Sequence, residues 1–374
     1  MATRKKGDDR LATEPFRTAI GLSSEWHEAA AQAVASLGGP RVGENVGFVY
    51  VTDAFADKLG PIVERLTALT GIANWVGTVG FGVIAGDRTA YDRAALAIMT
   101  GAFPEGSFTL FDCVAPERHP DAAGELAAGF VHVDPRHQQA GKLVQSIAQS
   151  ANAWLVGGVT AARGGRFDQV SGIVTDGGLS GILFAPTLQI STGVTQGCRP
   201  IGPYRMITAA RDSVIQELDG GSPLQALLGD LSDAGVTDLR SVGQALYAGL
   251  PVANSDTGDY VVRDLTAVDA DRGWISIAER VEAGQSLVFC KRDRAAAEAD
   301  LAAMAKRARG RMKQVRGGLY VSCVARGPHL FASAQAEVKI LQEALGGVPL
   351  VGFYANGEIA CDRIYAYTGV LALF

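Results

Sequence analysis

The sequence predicts an α/β protein of the α+β kind: two domains of repeated units, with mixed sheets and antiparallel hairpins covered by helices. Three observations predict it. Amphipathic helical stripes alternate with short β-rich runs along the chain. One unit recurs three times, reading helix, apolar Val-Gly strand, glycine-rich turn and returning strand. The strands after those turns follow too closely for a parallel crossover, so they must run antiparallel.

The helices are read from spacing. Trp26, Ala30, Ala33 and Leu37 share one face, with Ser24 as N-cap and Gly38-Gly39 as the stop. Phe55, Leu59, Ile62, Leu66 and Leu69 form a second stripe, closed by Gly71. Ala140, Leu143, Val144, Ile147 and Ala148 form a third, which Asp134 is expected to cap with Pro135 in the first turn. Ala297, Leu301, Met304 and Ala308 follow Asp293, and Ala334, Val338, Leu341 and Leu345 follow Ser333 and precede Gly346-Gly347. A short helix opens at Pro223.

The strands lie between them. VGFVYV (46–51), SFTLFDC (107–113), SLVFC (286–290) and GLYVSCV (318–324) are β-rich runs of ordinary strand length. The repeated unit reads WVGTVGFGVIAG (75–86) before strand 93–100. It reads WLVGGVTAARGGRFDQVSGIV (154–174) before strand 179–185, and PLVGFYANGEIACDRIYAY (349–367) before strand 368–374. Its glycines suit tight turns and close backbone approach. LDGGSP (218–223) marks the domain boundary, dividing the chain into a polar, loosely ordered tail (1–15), an N-terminal domain (16–219) and a C-terminal domain (220–374).

Composition narrows the function classes. Apolar residues make up 48% and charged residues 20% of 374, which suits a full core. A net charge of −5, with no basic stripe, argues against a nucleic-acid partner. No run of apolar residues is long enough to span a membrane, and the N-terminus lacks the apolar region of a secretory signal. The five cysteines are scattered and form no CxxC, which fits a reducing cytoplasm.

No catalytic constellation emerges. GTVGFG (77–82) has the wrong glycine order for a dinucleotide loop; neither a phosphate-binding GxxxxGK[ST] nor a GxSxG elbow occurs. HVDPRH (132–137) gathers two histidines and an aspartate, but Asp134 is wanted as a cap, so a solvated corner is expected rather than a metal site. Cys323, on a buried strand just before Arg326, reads as an inert core thiol; a nucleophile role is the alternative. Glu358, after Gly357 at the tip of the last hairpin and beside Tyr354, is open to three readings. It is solvated, or it holds a ligand's amine, or it pairs with Arg326. Arg199, held in a rigid Gly/Pro bend, suits carboxylate recognition or a tie between loops.

TQGCRPIGP (195–203), LYVSCVARG (319–327) and PLVGFYANGEIA (349–360), followed by the terminal strand after YAYTGVL, resemble the FIST family, an N-terminal FIST domain followed by a C-terminal one. The Val-Gly segments at 76–86 and 155–158 are similar in kind, so the resemblance covers about Phe16 to Phe374. It implies an intracellular sensory module that binds a small ligand, an amino acid or a relative, rather than an enzyme. Family members are often fused to signalling output domains; none is visible in this sequence, so the resemblance implies a separate output partner. Some members bind haem, which makes a haem gas sensor the alternative. The residues carried into the family's motifs are Arg199, Cys323, Arg326, Gly357 and Glu358; with Tyr354 they form the expected ligand set. The first turn, VGTVGFG, departs from the Gly-Glu pair common in the family, so the resemblance carries no ligand contact over to that turn.

Overall fold

The computed structural model describes residues 13–112, 127–235, 246–252 and 259–374. The tail expected over 1–15 falls almost wholly outside the described residues, as does Cys113. The chain forms two compact units. One contains 1–195, 298–364 and 368–374; the other contains 196–297 and 365–367. The mixed α/β class is as the sequence predicts, with helices set against mixed sheets.

The first unit gives the threefold repeat its physical meaning. Each copy contributes a parallel strand pair joined through a helix: Val46–Thr52 with Trp75–Gly80, Ala127–Val133 with Ala153–Val159, and Gly318–Cys323 with Leu350–Ala355. A returning strand then pairs antiparallel to the first strand of its own copy: Leu96–Gly101, Leu179–Phe184 and Thr368–Leu373 respectively. The segment between them leaves for a different sheet. Gly82–Ala85 pairs with Leu350–Ala355, Asp168–Ser171 with Trp75–Gly80, and Glu358–Cys361 with Ala153–Val159. Each copy therefore completes the sheet of another, in a closed cycle of three six-stranded sheets.

This corrects the sequence reading of the glycine turns. VGFYANGE is not a hairpin; its first half ends a strand of one sheet and Glu358 begins a strand of another. The recurrent Val-Gly lies inside a strand, and its glycine is required by close approach. A Cβ at Gly77, Gly157 or Gly352 would stand 1.6, 1.9 or 1.7 Å from the carbonyl oxygen of Val49, Val131 or Tyr320 on the parallel neighbour. The sheets meet along the middle of the unit. Tyr50 stacks on Phe353 at 4.9 Å between ring centroids, and His132 lies 5.6 and 5.7 Å from the two rings.

The helices cover the outer faces. Trp26–Ser36 and Leu59–Thr70 bury their stripes against the first sheet, with Trp75, Val49 and Ile98 beneath them. Ala140–Ser150 buries Val144, Ile147 and Ala148 against the second. Ser333 caps Ala334–Leu345 by accepting from the Ala336 amide, and Asp293 does the same for Ala296. Two expected caps differ. Glu25, not Ser24, precedes the first helix, and the third starts only at Ala140, because Asp134 is spent on the Arg136 amide and guanidinium.

In the second unit, six antiparallel strands close on themselves. In order around the ring they are Arg205–Arg211, Val214–Leu218, Trp274–Ile277, Tyr260–Asp269, Leu246–Pro251 and Ser286–Arg292, with Cys198–Pro200 added to the last. Closure removes the open edges of that ring. Helix Pro223–Asp233, capped by Ser222, packs Leu227 and Leu231 into the same core as Ile207, Ile275 and Phe289.

Candidate functional site

The strand Gly318–Cys323 ends beneath a tight turn. The Val324 amide donates to Ala355 O at 2.8 Å, and the Arg326 amide to Cys323 O at 2.8 Å. Gly327 then takes a positive φ of 40° to start the single-turn helix Gly327–Leu330. That turn drives the Arg326 side chain inward, where it is fully buried with its Cζ 5.1 Å from the Phe331 ring centroid.

Arg326 has a counter-charge from the neighbouring helix. Its Nε donates to Oε1 of Glu337 at 2.9 Å, and Glu337 is fully buried as well. Tyr320 and Ser322 donate their hydroxyls to the same oxygen, each at 2.8 Å, while the Gly327 amide donates to Oε2 at 3.1 Å. Four donors thus fix one carboxylate. Burial opposes the charge on Arg326, but Tyr320 and Glu337 outweigh it and raise the guanidinium above its ordinary range.

Glu358 is the third ionisable residue of the cluster, and it is also fully buried. It is neither solvated nor hydrogen-bonded to Arg326. Its Oε2 accepts the Thr368 hydroxyl at 2.7 Å and the Thr368 amide at 3.1 Å. Burial pushes its carboxyl up to about 8; Thr368, Arg326 and Cys323 pull it down by less. The carboxyl is therefore mostly protonated at neutral pH.

Three polar atoms here have no hydrogen-bond partner: Nη1 and Nη2 of Arg326 and Oε1 of Glu358. Buried polar groups are nearly always paired, so orphans on two adjoining ionisable residues mark a site that can receive something. A shallow groove of about 410 Å³ lies over the same turn, lined by Phe81, Tyr91, Asp92, Arg163, Val324, Ala325 and His329. Tyr91 links the two levels. It lines the groove, donates to Val324 O at 3.3 Å and sets its ring edge-on to buried Tyr354 at 5.0 Å. In the groove wall, Arg163 is held by Asp53 at 3.0 Å and by Asp92.

The expected residues divide into two groups. Cys323, Arg326, Tyr354, Gly357 and Glu358 all belong to the first unit. Cys323, Arg326 and Glu358 adjoin there, Tyr354 donates to Ala334 O at 3.3 Å, and Gly357 supplies the sheet-to-sheet crossing. Arg199 belongs to the second unit, exposed and paired with Asp293 at 2.8 Å. Sequence reading missed Glu337, Tyr320, Ser322 and Thr368. Glu337 carried a visible signal: it lies three residues after Ala334 and four before Leu341, a carboxylate on the apolar stripe.

The HVDPRH segment builds no cluster. His132 is fully buried, its Nε2 3.3 Å from the Tyr50 hydroxyl, whereas His137 is exposed. Burial lowers the His132 imidazole to about 3, so it is neutral. His132 is hemmed in by the rings of Tyr50, Phe130 and Phe353, whereas His27, His137 and His329 are exposed. Among the described residues no group of three or more His, Cys, Asp or Glu could hold a metal ion. No described helix is long and apolar enough to cross a membrane.

An uncharacterised protein of Mycobacterium tuberculosis is 30% identical over 375 residues, covering 93% of this chain and 95% of its own. One from Mycobacterium bovis is 29% identical, covering 93% and 94%. Residues 45–221 match the FIST N domain and residues 223–361 the FIST C domain. The chain belongs to the FIST family, whose domains are associated with sensory signal transduction.

Proposed function

We propose that the protein is a cytoplasmic small-ligand receptor that binds an amino acid or a related small metabolite and signals through a separate output partner. The observation that carries this reading is the trio of unpartnered polar atoms on Arg326 and Glu358, buried in a cluster whose other polar side chains are hydrogen-bonded. A fixed guanidinium in a dry setting is the usual anchor for a ligand carboxylate. A cytoplasmic setting is supported by Cys290 and Cys361, both free thiols. A receptor suits the site better than an enzyme, since the Cys323 thiol is buried.

The test is calorimetry on the full chain against the amino acids and their metabolic relatives, with Arg326→Lys as the control. Binding that Arg326→Lys weakens by about ten-fold or more supports the reading, since a bond to a charged group is worth about 1.5–3 kcal/mol. No binding at millimolar concentration, or binding indifferent to Arg326→Lys, overturns it.

A further inference from the structure

A second surface of the first unit joins an exposed tryptophan to a run of cations. Strand alternation sends Trp154 outward between buried Ala153 and Leu155, and the residue is 40% exposed. Its register partner on the neighbouring parallel strand is Ala128, too small to cover the ring. With Ala127, Ala128, Pro186, Leu188 and Ile190, the ring lines an apolar groove of about 250 Å³. A small-molecule site is usually about 300–1,000 Å³, so this groove suits an inserted side chain better than a whole metabolite. The cations border it. KRARGRMK (306–313) carries Lys306, Arg307, Arg309, Arg311 and Lys313, all exposed, and no acid, in a chain of net charge −5. Three hydrogen bonds fasten this run to the 188–192 wall of the groove. Ser191 donates its hydroxyl to Ala308 O at 2.8 Å, Gln189 Nε2 donates to Arg311 O at 2.9 Å, and Arg311 Nη1 donates to Thr192 O at 3.2 Å. Offsetting a helix dipole accounts for Arg307 and Arg309, in the last turn of the helix that ends at Gly310, and Arg307 also meets Asp300 at 4.0 Å. It does not account for Arg311 and Lys313, which lie past that end.

We propose that this groove and its basic rim dock an acidic segment of a partner protein, with an apolar side chain seated against Trp154 and carboxylates on Arg311 and the cations beside it. Tryptophan and arginine are enriched at interface hot spots, where a desolvated aromatic is ringed by polar contacts. Charge sets the sign of the partner: carboxylates gain from the run, and a basic segment is repelled. A nucleic acid would use the rim through its phosphates but would leave the aliphatic groove without an occupant. The same charge argues against the chain's own tail. Thr13 O accepts from Gln314 Nε2 at 3.1 Å, beside the run, and MATRKKGDDRLA before it holds four cations against two carboxylates. This surface shares no lining residue with the groove over the Arg326 turn. It gives the output partner of the receptor reading a place and a chemistry, and its role in signalling rests on that reading.

In the experiment, a phage-displayed random-peptide library is selected on the full chain, with Trp154→Ala as the counter-target. The enriched peptide is then synthesised and titrated by fluorescence anisotropy. The expected result is a consensus of acidic residues around a large apolar one. Its binding weakens about ten-fold or more in Trp154→Ala and in Arg311→Glu, and falls as salt rises. A peptide with an acidic position changed to lysine recovers part of the loss on Arg311→Glu, a gain that misfolding cannot produce. No enrichment beyond the Trp154→Ala background, a consensus free of acidic residues, or binding indifferent to Arg311→Glu overturns the proposal. So does binding of phosphatidylserine vesicles or single-stranded DNA in place of the peptide, or self-association of the chain that Trp154→Ala abolishes in sedimentation. The two readings fail separately. A failed selection beside intact calorimetric binding of an amino acid removes this surface and leaves the receptor. A peptide that binds where no amino acid does leaves the surface and removes the receptor.

Discussion

Replacing Glu337 by Gln is the most direct probe of the buried cluster, because it removes one charge while changing almost no volume. Glu337 accepts four bonds, three at Oε1 and one at Oε2. An amide oxygen in place of Oε1 keeps three of them, and its NH2 then confronts the Gly327 amide, a donor against a donor. The larger loss is the counter-charge of Arg326, which is fully buried and has no solvent to replace it. Breaking a buried pair on one side costs about 3–5 kcal/mol, against roughly 1–3 kcal/mol for one lost buried hydrogen bond, so the charge term decides the outcome. Adding Arg326→Met removes the stranded cation. The double variant is therefore expected to be less destabilised than the sum of the two single variants by about 2 kcal/mol.

Bulk unfolding is a poor assay for a chain of two compact units, since a single transition is not assured. Native-state hydrogen exchange at the amides of Gly318–Cys323 and Ala334–Leu345 reads the opening free energy where the cluster sits. At about 1.4 kcal/mol per decade, Glu337→Gln should speed exchange there by roughly a hundred-fold to a few thousand-fold, and the second substitution should return part of it. Exchange within about ten-fold of the wild type, or strict additivity in the double variant, refutes a tight charged pair.

Two further predictions concern neighbouring features. Glu358 has a folded-state carboxyl raised to about 8 from an ordinary value of 4.5, so the folded chain holds a proton that the unfolded chain has lost between those pH values. Stability is unaffected by this group below about pH 4.5, falls as pH rises through the window, and carries the full cost above about pH 8, a loss on the order of 4 kcal/mol. Glu358→Gln should flatten that part of the exchange-derived stability–pH curve; an unchanged slope refutes the buried-acid assignment. Gly352→Ala puts a methyl group 1.7 Å from Tyr320 O and should cost at least about 1–3 kcal/mol. Gly229→Ala, in a helix with open space around it, should stabilise by about 0.5–1 kcal/mol; equal effects of the two would refute the close-approach account.

The repeat was legible in the sequence, while its topology was not, and the reason is physical. A Val-Gly inside a strand and a Val-Gly before a turn look alike locally; what separates them is the carbonyl of a partner strand, Val49 for Gly77 or Tyr320 for Gly352, which lies 28 to 32 residues away in the chain. Sheet exchange is less visible still. Glu358 follows Leu350–Ala355 after two residues, yet its register partner is Gly158, in a different copy of the repeat. The same distance effect governs the site. Arg326 and Cys323 were readable because they share one segment, whereas Thr368 reaches Glu358 through the returning strand and Glu337 reaches Arg326 across a helix. Glu337 was nevertheless inferable, since a carboxylate on a stripe bounded by Ala334, Val338 and Leu341 must be buried, and a buried carboxylate requires donors or a cation. That constraint, applied to the whole sequence before any fold is assigned, leads from Glu337 to the arginine eleven residues earlier, and from that arginine to the unpartnered nitrogens on which the ligand proposal stands.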